Sequence, residues 1–377
     1  MYIHIEQLET LLLSKKGGLL MIKKIFKYTF ALLLMFTLTL TSVNAETLEN
    51  NDLKDVLIKY YSHLYDVRKT LKNTENEYVL PNTLLQKEES LNSKFLSMYA
   101  DKLGEQISNY NLDVDMSIIS EDKDSIKVSA TIKANFTYVD SEDSSYSEQD
   151  HIVYLKNDKG KILVEKDIHD PDKDLTILDN ELSSNESYIH YMNEKINNIE
   201  SKINSEDILP QPELDNKTIM TVRAKKIKKS GYNGKKGAAW AKRYANPGKD
   251  KENKYYNKGG DCTHFASWAL HIGGIPYDKK WKPGTAAWIR VSGLRNWLNS
   301  KGYITQSVHY KNSKLGDIIQ YKNKNGIWRH SVVVTSKTTK YPYVRVSAHS
   351  KNIRDEDVNG LYYPNGSFVS YVVLQIH

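Results

Sequence analysis

Apolar positions along the chain recur in two rhythms. Leu53, Val56, Leu57, Tyr60, Tyr61, Leu64 and Val67 follow three- and four-residue steps, which predicts an amphipathic helix. A second helix is predicted over Leu84 to Leu103. The rhythm then shortens to two in "LDVDMSI", "SIKVSATIKANFTYV", "HIVYLKN" and "KILVEKDI", which read as strands. Asp158-Lys159-Gly160 between the last two has the chemistry of a hairpin turn. Two helices followed by a meandering antiparallel sheet predict a small α+β domain over 46–170, by analogy of the cone-shaped, NTF2-like kind.

Between 171 and 225 the pattern fades into polar and charged sequence. One helix is predicted around Glu186–Ile203, followed by the Pro-marked stretch "LPQPELDNK" and the basic "RAKKIKKSGYNGKK". This segment reads as a helical spacer and solvated basic linker, an anion-binding patch being the alternative. From 226 to 377 the composition changes: all six tryptophans and the sole cysteine lie there, which predicts a separately built second domain. No internal repeat, Walker loop or dinucleotide fingerprint is present.

The N-terminal segment predicts export. From Met21 the sequence "MIKKIFKYTFALLLMFTLTLTSVNAET" gives a basic stretch, an apolar core from Phe30 to Leu40, and the small-residue pattern Val43-Asn44-Ala45. This is the layout of a signal peptide over 21–45, with a mature chain starting near Glu46. A retained anchor is the alternative, but the apolar core is shorter than the ~20 residues a span requires, so no stable membrane span is expected after cleavage. Residues 1–20 read as a mis-called start, because the basic stretch of a signal begins only at Met21. The expected location is secreted or cell-wall associated.

Charge and composition add little else. A net charge of +7 favours anionic surroundings such as cell-wall polymers, and no nucleic-acid module is recognisable. An exported chain with one cysteine forms no internal disulfide, so its thiol is buried filler, an intermolecular link or a reactive group.

The position of Cys262 favours reactivity. In "YYNKGGDCTHFASWALHIGG", Phe265, Trp268, Ala269 and Ile272 recur at helical spacing, and Gly273-Gly274 ends the run. Asp261 is a suitable N-cap, which places Cys262 at the first helical position, where free N–H groups and the helix dipole favour thiolate. A nucleophilic thiol needs a base. His264 and His271 share its helix, and His309 lies next to a turn. His330 opens "HSVVVTS", a rigid strand able to hold an imidazole in place, and is the preferred base. The following strand "YVRVSAHS" brings His349 roughly opposite if the two strands are in register, with Asn352 and Asp355 as rivals for the orienting role. The backbone N–H of Cys262 is a natural oxyanion donor; the further oxyanion and substrate candidates are Tyr256, Asn257, Asp261 and Trp288. Asp317 in "GDIIQY" reads as a strand cap. No metal-ligand spacing is visible and no cofactor is expected.

The blocks "YNKGGDCTHFASWALHIGGIP", "KLGDIIQY", "WRHSVVVTS" and "VSAHS" resemble, in order, the putative amidase domain of secreted and spore-forming bacterial proteins, over about Ser230 to His377. That family looks like a member of the papain-like superfamily, beside CHAP and related cell-wall peptidases. The resemblance implies a helix bearing the cysteine packed on an antiparallel sheet, with Cys262 as nucleophile, His330 as general base and His349 as third member. It also implies a cysteine amidohydrolase or peptidase acting on peptide or peptidoglycan-like amide substrates. Two positions depart from the family pattern: His264 where Asn is usual, and Trp268 where Gln is common. These leave open a non-catalytic papain-like module that binds cell wall or a protein partner.

Overall fold

The computed structural model describes residues 50–170, 174–205, 211–212, 227–246, 261–307, 309–339, 342–350, 352–358 and 368–377. The expected mis-called start and signal peptide lie outside these residues. The class is α+β, with a large antiparallel sheet and helices laid against it.

Helices α1 (Asn50–Thr70) and α2 (Leu84–Leu103) form as their periodicity predicts. α1 buries Leu53, Leu57, Tyr60 and Val67 on one stripe. The start of α2 is fixed by Thr83, whose hydroxyl accepts the Gln86 N–H at 3.2 Å, while the Gln86 side chain accepts the Asn82 N–H at 2.9 Å. Gly104 ends the helix with φ +77°, a left-handed conformation that costs glycine little. Strands β1 (Ile107–Glu121), β2 (Ser125–Tyr138), β3 (Ser144–Asp158) and β4 (Lys161–Ile168) follow as an antiparallel meander. The β3–β4 turn has Lys159 at φ +54° and Gly160 at φ +89°, the two positive angles of a type I′ hairpin.

Two more helices, α3 (Leu175–Glu181) and α4 (Asn185–Ile203), pack back onto this layer. α4 buries Tyr188, Met192, Ile196 and Ile199, and its Lys195 meets Glu88 of α2 at 2.7 Å. The segment expected as a spacer therefore contributes part of the first layer, because its apolar stripe needs a partner.

Strand β5 (Gln211–Pro212) and the helices α5 (Gly234–Tyr244), α6 (Cys262–Ile272), α7 (Ala286–Ile289) and α8 (Val291–Lys301) open the second half. Strands β6 (Ile304–Ser307), β7 (Ile318–Asn323), β8 (Trp328–Lys337), β9 (Val344–Ala348), β10 (Ile353–Asp357) and β11 (Phe368–Ile376) complete it. The sheet order is β1-β2-β3-β10-β9-β8-β7-β11-β5, with β4 on β3 and β6 on β11. One face of strands β7, β8 and β11 carries Ile318, Val333, Val372 and Leu374, covered by Trp240 of α5, Phe265 and Trp268 of α6, Trp288 of α7, Trp297 of α8 and Trp281 from the loop before α7. The other face carries Ile319, Tyr321, Val332, Val334, Val346 and Phe368. Tryptophan clustering in this half is thus a core-building choice.

The two halves join at β3 and β10. Arg354 pairs with Tyr146 across these strands, and the Ser145 hydroxyl donates to the Asp355 carbonyl at 2.7 Å. The Asp357 N–H donates to the Tyr138 hydroxyl at 2.7 Å, and the Arg345 guanidinium lies 4.1 Å over the Tyr138 ring.

Asp317 caps the start of β7, accepting the Ile376 N–H at 3.0 Å and the Lys314 N–H at 2.8 Å. Burial outweighs these donors and raises its carboxyl to about 6. A carboxyl raised above its unfolded value of ~4 holds more protons in the folded state, so its stabilising contribution is complete below that value and is lost as pH rises towards 6. The wild type is expected to lose on the order of 3 kcal/mol relative to Asp317→Asn between pH 4 and 7, measured by urea unfolding at each pH. Parallel pH profiles for the two proteins would refute this.

Candidate active site

Helix α6 starts at Cys262 with every residue from Cys262 to Leu270 buried. A helix this apolar forms because both the sheet and the tryptophan helices cover it. Asp261 stands at the N-cap, but its carboxylate makes no capping hydrogen bond to the helix. It turns to His349, with Oδ2 2.8 Å from the imidazole Nδ1. The amides at the helix start are met from outside: the Ser350 hydroxyl accepts the N–H of Asp261 at 3.0 Å and of Cys262 at 3.2 Å. The Cys262 N–H, expected as an oxyanion donor, is therefore already engaged. Ser350 adopts φ +76°, a left-handed conformation that costs a serine of order 1 kcal/mol and persists only where neighbours enforce it.

His349 is fully enclosed beside the helix start, its ring 4.2 Å from that of Phe265. Its Nε2 lies 2.7 Å from the Tyr244 carbonyl oxygen, and its Nδ1 meets the Asp261 carboxylate. These two contacts tie the end of β9 to the residue preceding the cysteine and to the end of α5.

The Cys262 sulfur, on a residue 6% exposed, lies against the start of β8. Among the described residues its hydrogen-bonding neighbours are the Thr263 hydroxyl at 3.7 Å and the Arg329 carbonyl at 3.9 Å, and the Ser331 backbone also assists it. Burial dominates these contacts and pushes the thiol up to about 11. The expected thiolate is thus absent at neutral pH in this arrangement. Alkylation of Cys262 by iodoacetamide should accordingly accelerate about tenfold per pH unit past pH 8.5 and level off only near 11. A plateau below pH 8 would contradict it.

His330 extends from the same strand segment but towards the other side. It pairs with Tyr321, and its ring stacks on Phe368 at 6.2 Å, both members of the face opposite α6. Its neighbour Ser331 points to α6, its hydroxyl 3.1 Å from that of Thr263. The β8–β9 ladder pairs Val333 with Ser347, a register that does not bring His349 opposite His330. The structure thus gathers Cys262, Asp261, His349 and Ser350 on one face of the sheet and sets the His330 ring on the other.

The remaining candidates disperse. Trp288 is completely buried, its indole N–H 3.0 Å from His264 Nδ1, so it belongs to the core. His264 also faces the Trp268 indole N–H at 2.9 Å. Burial keeps this imidazole neutral, with one acceptor nitrogen, so it satisfies one indole at a time. Asp355 is held by Lys242 at 2.9 Å and by the Thr335 hydroxyl at 2.9 Å. Tyr256 and Asn257 lie outside the described residues. Ser350 escaped sequence reasoning; its position directly after His349 was the only signal. Among the described residues no three His, Cys, Asp or Glu side chains gather as a metal-binding set, and no helix is long and apolar enough to cross a membrane.

Comparison with known proteins places this site in context. The chain is 37% identical over 175 residues to the uncharacterized protein YjcM of Bacillus subtilis (strain 168), a match covering 43% of this chain. The chain spans about two fifths of that relative's length, 41%. No solved structure matches the chain significantly. Residues 231–371, which include the cysteine helix and strands β7 to β10, match the family model of the putative amidase domain.

Proposed function

We propose that the C-terminal half is a cysteine-dependent amide hydrolase, exported to the cell surface, that acts on peptides of the bacterial wall. The observation that carries the reading is the sole thiol of the chain at the first position of a helix, within the matched domain and against the strand that begins the second sheet hairpin. On this reading Cys262 attacks an amide carbonyl, the thiol proton passes to an imidazole, the amine leaves with that proton, and water releases the acyl group.

His330 is the proposed proton acceptor. The sulfur touches the backbone on either side of it, at Arg329 and Ser331, and the strand register is irregular between Trp328 and His330. Irregularities of this kind re-aim side chains at strand ends, so substrate binding need shift only this short segment to present the imidazole to the thiol. Asp261 and His349 act as positioning residues that fix the helix start. The basic balance of the chain suits an anionic wall polymer, and hydrolysis and transfer to a second amine remain the two fates of the acyl group.

A second reading is a binding module that has lost catalysis. It is favoured by the neutral thiol and by the imidazole across the sheet. Mass spectrometry of purified wall peptides incubated with the chain and with Cys262→Ala separates the two. The hydrolase reading expects new termini only with the wild type; peptides left intact by the wild type while still retained on it would establish the module.

A further inference from the structure

The first layer contains a cavity of about 190 Å³ between α1, α2 and the meander, bordered also by Lys195 of α4 and Glu356 of β10. Nothing in the proposed chemistry uses it. Much of its wall is internally satisfied. Tyr60 and Tyr61 each donate to Asp167 Oδ2 at 3.1 Å, and His151 Nδ1 lies 2.8 Å from Asp167 Oδ1.

Three atoms on its wall are not. Arg68 Nη2, Asn92 Oδ1 and Glu105 Oε1 are buried without a hydrogen-bond partner among the described residues. Their side chains belong to residues only 8%, 4% and 3% exposed, and all three line the cavity. Orphaned buried polar atoms are costly, and three converging on one space call for a shared partner.

The kind of partner follows from what each atom requires. Arg68 Nη2 carries N–H and needs an acceptor, best an anion. Asn92 Oδ1 and Glu105 Oε1 need donors. An apolar ligand would leave all three orphaned. A simple anion would satisfy Arg68 alone and would face the five carboxyl groups that line the cavity. A simple cation would leave the Arg68 N–H unmet. Lys195 does not alter this balance, since Glu88 already holds it at 2.7 Å. Burial raises the Glu105 carboxyl, with Arg68 opposing, so a donor from the ligand would favour its ionised form.

We infer that this cavity is a binding site for a small zwitterion of amino-acid or dipeptide size, its carboxylate on Arg68 and its ammonium or amide N–H groups on Glu105 and Asn92. Because Glu356 reaches the cavity from β10, which pairs with the strand preceding His349, an occupant would also touch the second half of the chain.

Calorimetric titration of the intact chain tests this, with L-alanine, D-alanine and L-alanyl-L-alanine as probes and propionate and ethylamine as half-ligands. At least one zwitterion should bind with Kd below ~1 mM, at least tenfold tighter than either half-ligand. Glu105→Gln and Arg68→Lys, checked for folding by circular dichroism, should each weaken it about tenfold or more, and Cys262→Ser should leave it unchanged. Should Arg68→Lys fail to fold, Glu105→Gln decides. Absence of binding by all three zwitterions at ~10 mM, equal binding of a half-ligand, or a folded Glu105→Gln with unaltered affinity would overturn the inference. The Cys262→Ser arm keeps this outcome separate from the fate of the amidase reading.

Discussion

Cys262→Ser is expected to lower amide hydrolysis by ~10⁴-fold or more while leaving the fold intact, since the nucleophile is replaced and not merely weakened. Serine fills nearly the same space, and its hydroxyl can keep the contact with Thr263 that the thiol makes at 3.7 Å. It cannot be ionised by the means available to a thiol, and it forms an ester where the cysteine would form a thioester. Thermal unfolding of the two proteins should therefore coincide within a few degrees. Release of amine from wall peptides, followed by mass spectrometry, supplies the rate. A serine variant retaining a tenth of the activity would exclude the cysteine mechanism.

The second large effect concerns the pair at the helix start. Asp261→Asn should destabilise the chain by about 1–3 kcal/mol, because it removes the carboxylate that holds the enclosed His349 imidazole. His349→Leu should cost a similar amount by removing the imidazole from Asp261 Oδ2, on a residue 2% exposed whose Oδ1 keeps the Ser350 hydroxyl at 3.3 Å. Replacing both side chains together should cost less than the sum of the two, the signature of a direct interaction. Urea unfolding of the two single variants and the double variant measures this cycle. Additive costs, or single-variant losses below ~1 kcal/mol, would show that the contact contributes nothing of consequence.

Legibility in the sequence followed the physics of each element. α2 was readable to its boundaries because its apolar spacing, its Thr83 cap and its terminal glycine agree. The β3–β4 hairpin was readable because Lys159-Gly160 can take two positive φ angles and the flanking strands alternate. The helix opened by Cys262 was equally plain. The facing of His330 was not. Its strand continues through Val332, Val333 and Val334, buried on both sides of the sheet, so the apolar pattern carries no alternation from which to tell one face from the other. A one-residue offset between β8 and β9 then decides which histidine shares a face with the cysteine, and such offsets are invisible without coordinates. The same limit applies to Asp261. Its residue type favours a cap, but a buried imidazole 88 positions away competes for its carboxylate.

Position at a helix start favours thiolate, yet enclosure under helix and strand opposes it more strongly, and the balance falls to the protonated form. On the proposed mechanism, activation has to accompany substrate binding, which ties reactivity to the segment from Trp328 to His330.

The most direct test of the cysteine mechanism is intact-mass analysis of the chain quenched in acid during turnover of a wall peptide. The account predicts a mass increase equal to the acyl fragment, released by hydroxylamine and mapped to Cys262. Turnover at full rate with no adduct on Cys262, and the same rate in Cys262→Ala, would contradict it.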